Sequence, residues 1–291
     1  MLAHLNNIKI FFLIIIFLLS ITSSVNSEEK KIDLLKNNWS FNGIFGTFDR
    51  ASLQRGYQVY QEVCSGCHSV QHLSYRNLSE EGGPEFSIEE AKKIASQFEV
   101  EDGPNSDGEM FLRPGKLSDK FVKPYPNVEA STAANGGAYP PDMSVLAKAR
   151  VGGANYIYSL LLGYDEAPVG FELDEGVYYN KYMSGNKIKM SEPISDGIVE
   201  YSDGTEATKE QITKDITAFL VWSSEPHLES QHKMGFKAII YLIILITLVY
   251  MSKNKVWSQF SSKTKEEEEE TFDKVEKAVT KYEGEDPKTF K

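Results

Sequence analysis

The pentapeptide Cys64-Ser65-Gly66-Cys67-His68 constrains this chain more than any other feature, because it has the form C-x-x-C-H. Two thiols at this spacing add across the two vinyl groups of a porphyrin, and the adjoining imidazole then reaches the iron. A redox dithiol or half of a zinc site is the alternative for a bare C-x-x-C pair. These are the only 2 cysteines in 291 residues, so no second pair completes a zinc ribbon. The motif predicts one covalently attached haem c, with His68 as the proximal ligand.

The first 27 residues have the pattern of a secretory signal peptide. Lys9 supplies positive charge, an apolar run extends over 10–19, and small residues precede a polar stretch after Ser27. That run is short for a membrane span, although a retained anchor is the alternative interpretation. Export agrees with the haem motif, since c-type haem is attached outside the cytoplasm. We therefore expect cleavage after Ser27 and a periplasmic haem domain at 28–232.

A second apolar stretch, 233–252, predicts one transmembrane helix near the C-terminus. Within 234–251 only Lys237 is charged, and this length just spans a hydrocarbon core. Lys237 can snorkel to one interface, and Trp257 is placed to anchor the other. A buried core helix is the alternative. Because the preceding domain is exported, the charged tail at 253–291 is expected to be cytoplasmic.

The exported body is predicted to be mainly α-helical, with long loops and one small hairpin within 169–205. Apolar residues recur at helical spacing before the haem motif, and Thr208 with Gln211 has the pattern of a capping box. Asp142 follows a proline pair and is expected to cap a short helix that extends to Arg150.

Charge restricts the partners of the chain. The formal net charge is −11 at pH 7, which argues against nucleic acid as a partner. Between Glu80 and Glu109 there are ten acidic residues and only two lysines. This stretch is either a solvated surface or a docking patch for a basic protein, since opposite fields accelerate encounter.

The second axial position of the iron decides what the haem does. A methionine there raises the reduction potential, a second histidine lowers it, and an empty position suits oxygen or peroxide chemistry. The candidates in the exported body are Met110, Met143, Met183, Met190, His72 and His227. A ligand far downstream, in a loop ahead of the final helix, favours Met183 or Met190 and does not separate them.

Several motifs occur in a characteristic order along the chain. They are Trp39-Ser40-Phe41, 54–60, Cys64–His68, 133–138, 140–144, 149–153, 156–164 and Met234-Gly235. This set resembles the cytochrome c1 family, the membrane-anchored haem subunit of the cytochrome bc1 complex, in its bacterial form. The resemblance implies a mainly α cytochrome c-type haem domain with long loops, plus one C-terminal transmembrane helix.

The same resemblance implies roles for individual residues. Cys64 and Cys67 would hold the haem, and His68 and Met190 would be its iron ligands. The further haem-pocket positions are Asn135, Pro140, Pro141 and Tyr156, with Pro141 packed near His68, and Arg150 would pair with a haem propionate.

The function implied by the resemblance is electron transfer without bond chemistry of the chain's own. A Rieske iron–sulfur protein would reduce the haem, and a periplasmic cytochrome c would accept the electron. With cytochrome b, the chain would form a quinol–cytochrome c oxidoreductase in the bacterial inner membrane. Three alternatives remain from the residues: an independent membrane-tethered carrier, a haem enzyme with an open sixth position, and an interaction protein whose C-x-x-C pair is a disulfide.

Overall fold

The computed structural model describes residues 32–283, with the side chains of all of these except 259–265 and 278–283. The predicted signal peptide and residues 284–291 of the predicted tail lie outside the described residues. Within the described range the α-helices are α1 Arg50–Val59, α2 Ile88–Ser96, α3 Val128–Ala134, α4 Leu146–Ala149, α5 Gly153–Leu162, α6 Lys209–Ser224 and α7 Leu228–Glu283. The strands of that range form two antiparallel pairs, β1 Glu99–Asp102 with β2 Phe111–Pro114, and β3 Tyr178–Tyr179 with β4 Lys187–Ile188. The mainly α-helical class is confirmed.

Helix α1 carries the chain into the C-x-x-C-H motif. Asp49 caps its start by accepting backbone hydrogen bonds through its carboxylate. The helix then widens into a π-helical turn, Tyr60–Cys64, where the amide of Ser65 donates to the carbonyl of Tyr60 at 2.8 Å. The helix predicted before the motif is therefore present, and its widened last turn ends at the first cysteine.

Helices α1 and α6 cross at close range in the centre of the core. A Cβ atom at Gly56 would lie 2.7 Å from the Cβ of Phe219, so glycine is what permits this approach. Beside the crossing, Tyr60 stacks on Phe219 with 5.6 Å between the ring centroids. The motif-bearing end of α1 therefore rests on a closely packed base.

A buried carboxylate, Asp215 of α6, ties the two helices together. It accepts from the guanidinium of Arg55 at 2.8 Å and from the hydroxyl of Ser52 at 2.7 Å. Gln211 also donates to it, at 3.1 Å. This contact corrects part of the predicted capping box: Thr208 accepts from the amide of Gln211, but the Gln211 side chain turns to Asp215. A buried anion needs such donors to offset its lost hydration.

The predicted helix cap at Asp142 is wrong. Helix α4 follows Val145, which makes no side-chain cap bond, and it ends at Ala149, just before Arg150. The carboxylate of Asp142 instead accepts hydrogen bonds from two groups that follow the haem motif, the Ser69 hydroxyl and the Gln71 amide, and from the amide of Ser144.

One hairpin was predicted and another was not. The pair β3–β4 lies within 169–205, as expected. The pair β1–β2 lies at the acidic stretch, where Asp102 on β1 forms an ion pair with Arg113 on β2. Strands this short, held together by cross-strand side-chain pairs, contain too few residues to show an alternation of apolar and polar positions. The sequence pattern therefore did not predict this hairpin.

Helix α7 begins inside the domain and then leaves it. Glu229, in its first turn, accepts from Arg50 at 2.7 Å and from the amide of Phe48 at 2.8 Å. The segment Leu228–Ser258 is long and apolar enough to cross a membrane, and its most apolar part is not buried against the domain. The buried-core alternative is therefore wrong. Beyond this segment the helix continues through the charged tail to Glu283.

Candidate functional site

The two thiols of the motif lie on one turn at the end of the π-helical segment. The amides of Cys67 and His68 donate to the carbonyl of Cys64 at 3.1 and 2.9 Å. Both thiols are free, Cys64 half-buried and Cys67 exposed. Burial, with a smaller contribution from Cys67, raises the pKa of the Cys64 thiol to about 12.

The imidazole of His68 is held by one of its two ring nitrogens. Its Nδ1 lies 2.8 Å from the carbonyl oxygen of Pro141, and a carbonyl only accepts, so Nδ1 carries the proton. Burial lowers the pKa of His68, although the hydrogen bond to Pro141 and the nearby Asp142 oppose the shift. The ring is therefore neutral, with the lone pair of Nε2 free to bind a metal.

Asp142 fixes the loop that supplies this carbonyl. Its carboxylate accepts from the hydroxyl of Ser69 at 2.6 Å, from the amide of Gln71 at 3.0 Å and from the amide of Ser144 at 2.9 Å. Burial opposes ionisation, but these hydrogen bonds prevail and lower the pKa of Asp142. The anion thus clamps the residues after His68 to those after Pro141. Sequence reasoning missed this role, because nothing in the spacing pairs residue 69 with residue 142.

Pro140 lies beside the motif in a cleft of about 210 Å³. The same cleft is also lined by Cys67, by Tyr139 and by residues 123–128, which lead into α3. This predicted pocket residue is therefore next to one of the two thiols.

Asn135 ends helix α3. Its side-chain amide donates to the carbonyl of Ser131 at 2.7 Å, within its own helix. Gly136 and Gly137 follow with φ of 59° and 81°, which turns the chain sharply. The Lys189 ammonium donates to the carbonyl of Gly136 at 3.5 Å and joins this turn to the segment that carries Met190.

Tyr156, on α5, is next to Met183 and donates its hydroxyl to the Met183 sulfur at 3.7 Å. The amide of Met183 donates to the side-chain oxygen of Asn180 at 3.2 Å, and Asn180 is fully buried. Of the two methionines that the sequence left open, Met183 is thus the one whose sulfur has a hydrogen-bond partner in the described part of the chain.

Met190 is half-buried in the loop after β4. Its carbonyl accepts from the hydroxyl of Tyr164 at 3.1 Å, which fixes the backbone. Among residues 32–283, no donor bonds to the thioether sulfur of Met190. Neither Tyr164 nor Lys189 was assigned a role from the sequence, since Tyr164 acts on the backbone carbonyl of Met190 and Lys189 on that of the distant Gly136.

Arg150 is exposed at the end of α4, where its guanidinium donates to the carbonyl of Ala149 at 3.4 Å. Within residues 32–283 it makes no ion pair. Its cationic group is therefore available to an anion from outside the protein. Met143, in contrast, is buried in the core.

The donors in this region fit a covalently bound haem. Two neighbouring free thiols and an imidazole with an available Nε2 supply the attachment points and one axial ligand, and the unused thioether suits a second. Across the described part of the chain, no group of three or more His, Cys, Asp or Glu side chains is arranged to hold a bare metal ion.

A sequence profile described as the Cytochrome C1 family matches residues 39–260, which include the whole site. The chain belongs to the cytochrome c1 family. It is the electron-transfer subunit of a bc1 complex, as the sequence predicted, and cytochromes c1 carry haem c.

Individual relatives agree with the profile. The chain is 45% identical over 241 residues to the mitochondrial cytochrome c1-2 haem protein of Solanum tuberosum, covering 83% of this chain and 92% of that protein. It is 41% identical over 255 residues to cytochrome c1 of Rhodospirillum rubrum, covering 82% and 93%.

A longer relative matches as well. The chain is 46% identical over 241 residues to the cytochrome b/c1 protein of Bradyrhizobium diazoefficiens, covering 76% of this chain but 35% of that protein. Bacterial and mitochondrial relatives thus match at similar identity. Family membership is confirmed, and the bacterial form stays a prediction.

Proposed function

We propose that this cytochrome c1 holds one haem c through thioether bonds to Cys64 and Cys67, with His68 and Met190 as axial ligands. The observation that carries the proposal is the hydrogen bond from His68 Nδ1 to the Pro141 carbonyl at 2.8 Å. It sets the tautomer in which Nε2 is the free donor, and it fixes the ring plane. Haem bound in this way supplies a one-electron redox couple.

Met190 is preferred over Met183 because of their sulfur atoms. The hydroxyl of Tyr156 donates to the sulfur of Met183, whereas the hydroxyl of Tyr164 holds only the backbone of Met190. The sulfur of Met183 thus already accepts a hydrogen bond, and the sulfur of Met190 accepts none from the described residues, which supports Met190 as the iron ligand.

The remaining pocket residues are proposed to position the cofactor. Pro140 borders the cleft beside Cys67, and Asn135 shapes the turn that Lys189 joins to the Met190 segment. Arg150 is proposed to pair with a haem propionate, since its exposed guanidinium suits a carboxylate. Tyr156 is proposed to hold the sulfur of Met183 through its hydroxyl hydrogen bond, so that Met183 does not ligate the iron.

The electron donor is proposed to be a Rieske iron–sulfur protein, and the acceptor a periplasmic cytochrome c. Cytochrome b would be the membrane partner. The chain contributes an attachment site, two axial ligands and docking surface to this transfer, and breaks no bond in a substrate.

The acidic stretch supports docking of a basic acceptor, although some of its carboxylates form ion pairs with basic residues of the same chain. Glu81 pairs with Lys233, Glu85 with Arg50, and Asp102 with Arg113. The exposed acids outside these three pairs include Glu99, Glu101, Asp107 and Glu109, on or beside the β1–β2 hairpin. Their uncompensated field would steer a cationic protein to this surface.

The chain is proposed to have a signal peptide at 1–27, a periplasmic domain at 28–232, a membrane helix at 233–252 and a cytoplasmic tail at 253–291. The location would be the bacterial inner membrane, crossed once. The exposed apolar surface of Leu228–Ser258 supports the anchor.

Redox titration of the purified complex, followed optically with and without carbon monoxide, tests this proposal. We expect haem that stays with the polypeptide after denaturation, a positive midpoint potential and a spectrum unchanged by carbon monoxide. A low potential or ready carbon monoxide binding would contradict methionine ligation. Haem lost on denaturation would contradict the thioether bonds, and a complex purified without cytochrome b or a Rieske protein would contradict the proposed partners.

A further inference from the structure

A tight turn with an apolar tip stands beside the start of helix α7. The amide of Gly46 donates to the carbonyl of Gly43 at 3.1 Å, which places Ile44 and Phe45 at the two corners of the turn. Both side chains are 75% exposed. Two adjacent large apolar residues at a loop tip are unusual on a surface that faces only water.

The stem below this tip is firmly built. Trp39, Phe41 and Phe48 are buried in the core, and the amide of Thr47 donates to the carbonyl of Ser40 at 3.0 Å. The tip is therefore held out by a rigid base.

Three contacts on one face of helix α7 fix the position of this turn along the helix axis. Glu229 accepts from the amide of Phe48 at 2.8 Å, and His232 Nδ1 lies 3.2 Å from the carbonyl of Gly46. Phe236 packs edge-on against Phe45, with 6.4 Å between the ring centroids. Steps of three and four residues keep these positions on the same side of a helix.

That position coincides with the start of the membrane span. Phe236 precedes the uncharged run 238–251 by two residues, or about 3 Å along a helix axis at ~1.5 Å per residue. Lys237, exposed and adjacent to Phe236, has the charge and length to reach lipid phosphates. The surroundings of the tip therefore have the chemistry of the lipid headgroup boundary.

We propose that Ile44 and Phe45 insert into the interfacial region of the bilayer on the side of the haem domain. This contact is additional to the transmembrane helix. Two separate attachments, the helix and the turn, fix the height and tilt of the domain above the membrane, whereas a helix alone would leave the domain free to tilt. The occupant is lipid, because the tip is continuous with the lipid-facing surface of α7.

The inference rests on the proposed membrane crossing of α7, and the test separates the two. The holo-complex carrying Phe45→p-benzoylphenylalanine is reconstituted in phosphatidylcholine vesicles, irradiated and analysed by mass spectrometry. Ile243, exposed within the apolar run, receives the same photo-cross-linker as the membrane control. Val169, exposed in the loop after α5, receives it as the aqueous control.

We expect lipid adducts at positions 45 and 243 and none at 169. Adducts at 243 but not at 45 would overturn the inference while leaving the anchor intact. In that case, a cross-link from position 45 to another subunit would identify a protein neighbour, and the absence of any cross-link would indicate water. Absence of adducts at 243 would overturn the anchor and the inference together. A second experiment places the photo-reactive group on the lipid, with the complex reconstituted in vesicles of a diazirine-bearing phosphatidylcholine. The double variant Ile44→Ser, Phe45→Ser should eliminate lipid adducts on residues 43–46. Persistence of these adducts in the double variant would count against insertion.

Discussion

His68 Nδ1 lies 2.8 Å from the carbonyl oxygen of Pro141, 73 positions further along the chain. One hydrogen bond thereby decides which ring nitrogen carries the proton and which is free for a metal. Asp142, the next residue, holds that carbonyl in place through three hydrogen bonds. The proximal side of the proposed haem site thus depends on a loop that the C-x-x-C-H motif does not contain.

Met190→Leu should lower the haem midpoint potential on the order of tenths of a volt, since axial ligands span ≈ 0.8 V across proteins. The same variant should bind carbon monoxide, because leucine cannot ligate iron. Redox titration of the purified complex measures the first effect, and the reduced spectrum under carbon monoxide the second. Met183→Leu is the matched control and should leave both properties near those of the parent. A reversed pattern would assign Met183 as the ligand.

Asp142→Asn should destabilise the chain by about 1–3 kcal/mol, because the amide group brings a donor among the donors of Ser69, Gln71 and Ser144. Denaturant unfolding of the full-length holo-protein in detergent measures this loss. Asp165→Asn, which removes an exposed partner of Lys181, is the control and should change stability by less than about 1 kcal/mol. Equal effects of the two variants would count against a clamp at Asp142.

Asp215→Ala should cost about 3–5 kcal/mol, because it leaves the guanidinium of Arg55 without its buried carboxylate. Ser52 and Gln211 would lose the same acceptor. The free energy of unfolding in detergent is the measurement. Asp174→Ala, which removes a well-exposed partner of Lys187, is the control. A loss at Asp215 below about 1 kcal/mol would mean that the ion cluster does not hold α1 against α6.

Stability should fall with acid partly through Asp203. The backbone amide of Thr205 and then the guanidinium of Arg55 lower the pKa of Asp203 from 3.8 to about 2. A carboxyl whose pKa is lower in the folded chain stabilises it fully above the unfolded pKa, and the contribution is lost as pH falls from about 4 towards 2. Unfolding measured across that range should give a shallower slope for Asp203→Asn than for the parent. Identical slopes would exclude this coupling.

Neutralising the acids around the β1–β2 hairpin should slow reaction with a basic cytochrome c several-fold at low salt. The variant changes Glu99, Glu101 and Glu109 to Gln and Asp107 to Asn, and stopped-flow oxidation at several ionic strengths is the measurement. Its salt slope should be shallower, since fewer charges steer encounter. Gln at 267–270 of the tail removes the same number of charges and serves as the control. If the two variants react alike, the hairpin is not the docking surface.

The cofactor class was accessible from the sequence because its chemistry is local. Cys64, Cys67 and His68 are close in sequence, and a single turn of the chain brings them together. Their proximity therefore does not depend on the rest of the fold. The membrane helix was accessible for a similar reason, since unbroken apolar length is a property of one segment. Helix α1 followed from its periodicity, and the N-cap at Thr208 from residues three positions apart.

Features that depend on distant segments were not accessible in this way. The sequence assigned Asp142 to a helix cap, whereas its carboxylate lies against residues 69–71, because a half-buried anion is stabilised where several donors converge. The β1–β2 hairpin escaped prediction because four-residue strands carry almost no periodic signal.

By itself, the sequence determined the family to which the chain belongs, the mainly helical class and the apolar segment, because each depends on residues that are close together in the chain. Only the tertiary structure decided which ring nitrogen of His68 is free, which methionine sulfur has a partner and where the Ile44–Phe45 turn meets α7. The physical reason is that these relationships are contacts between segments, and such contacts are set by packing and by the need to satisfy buried polar groups.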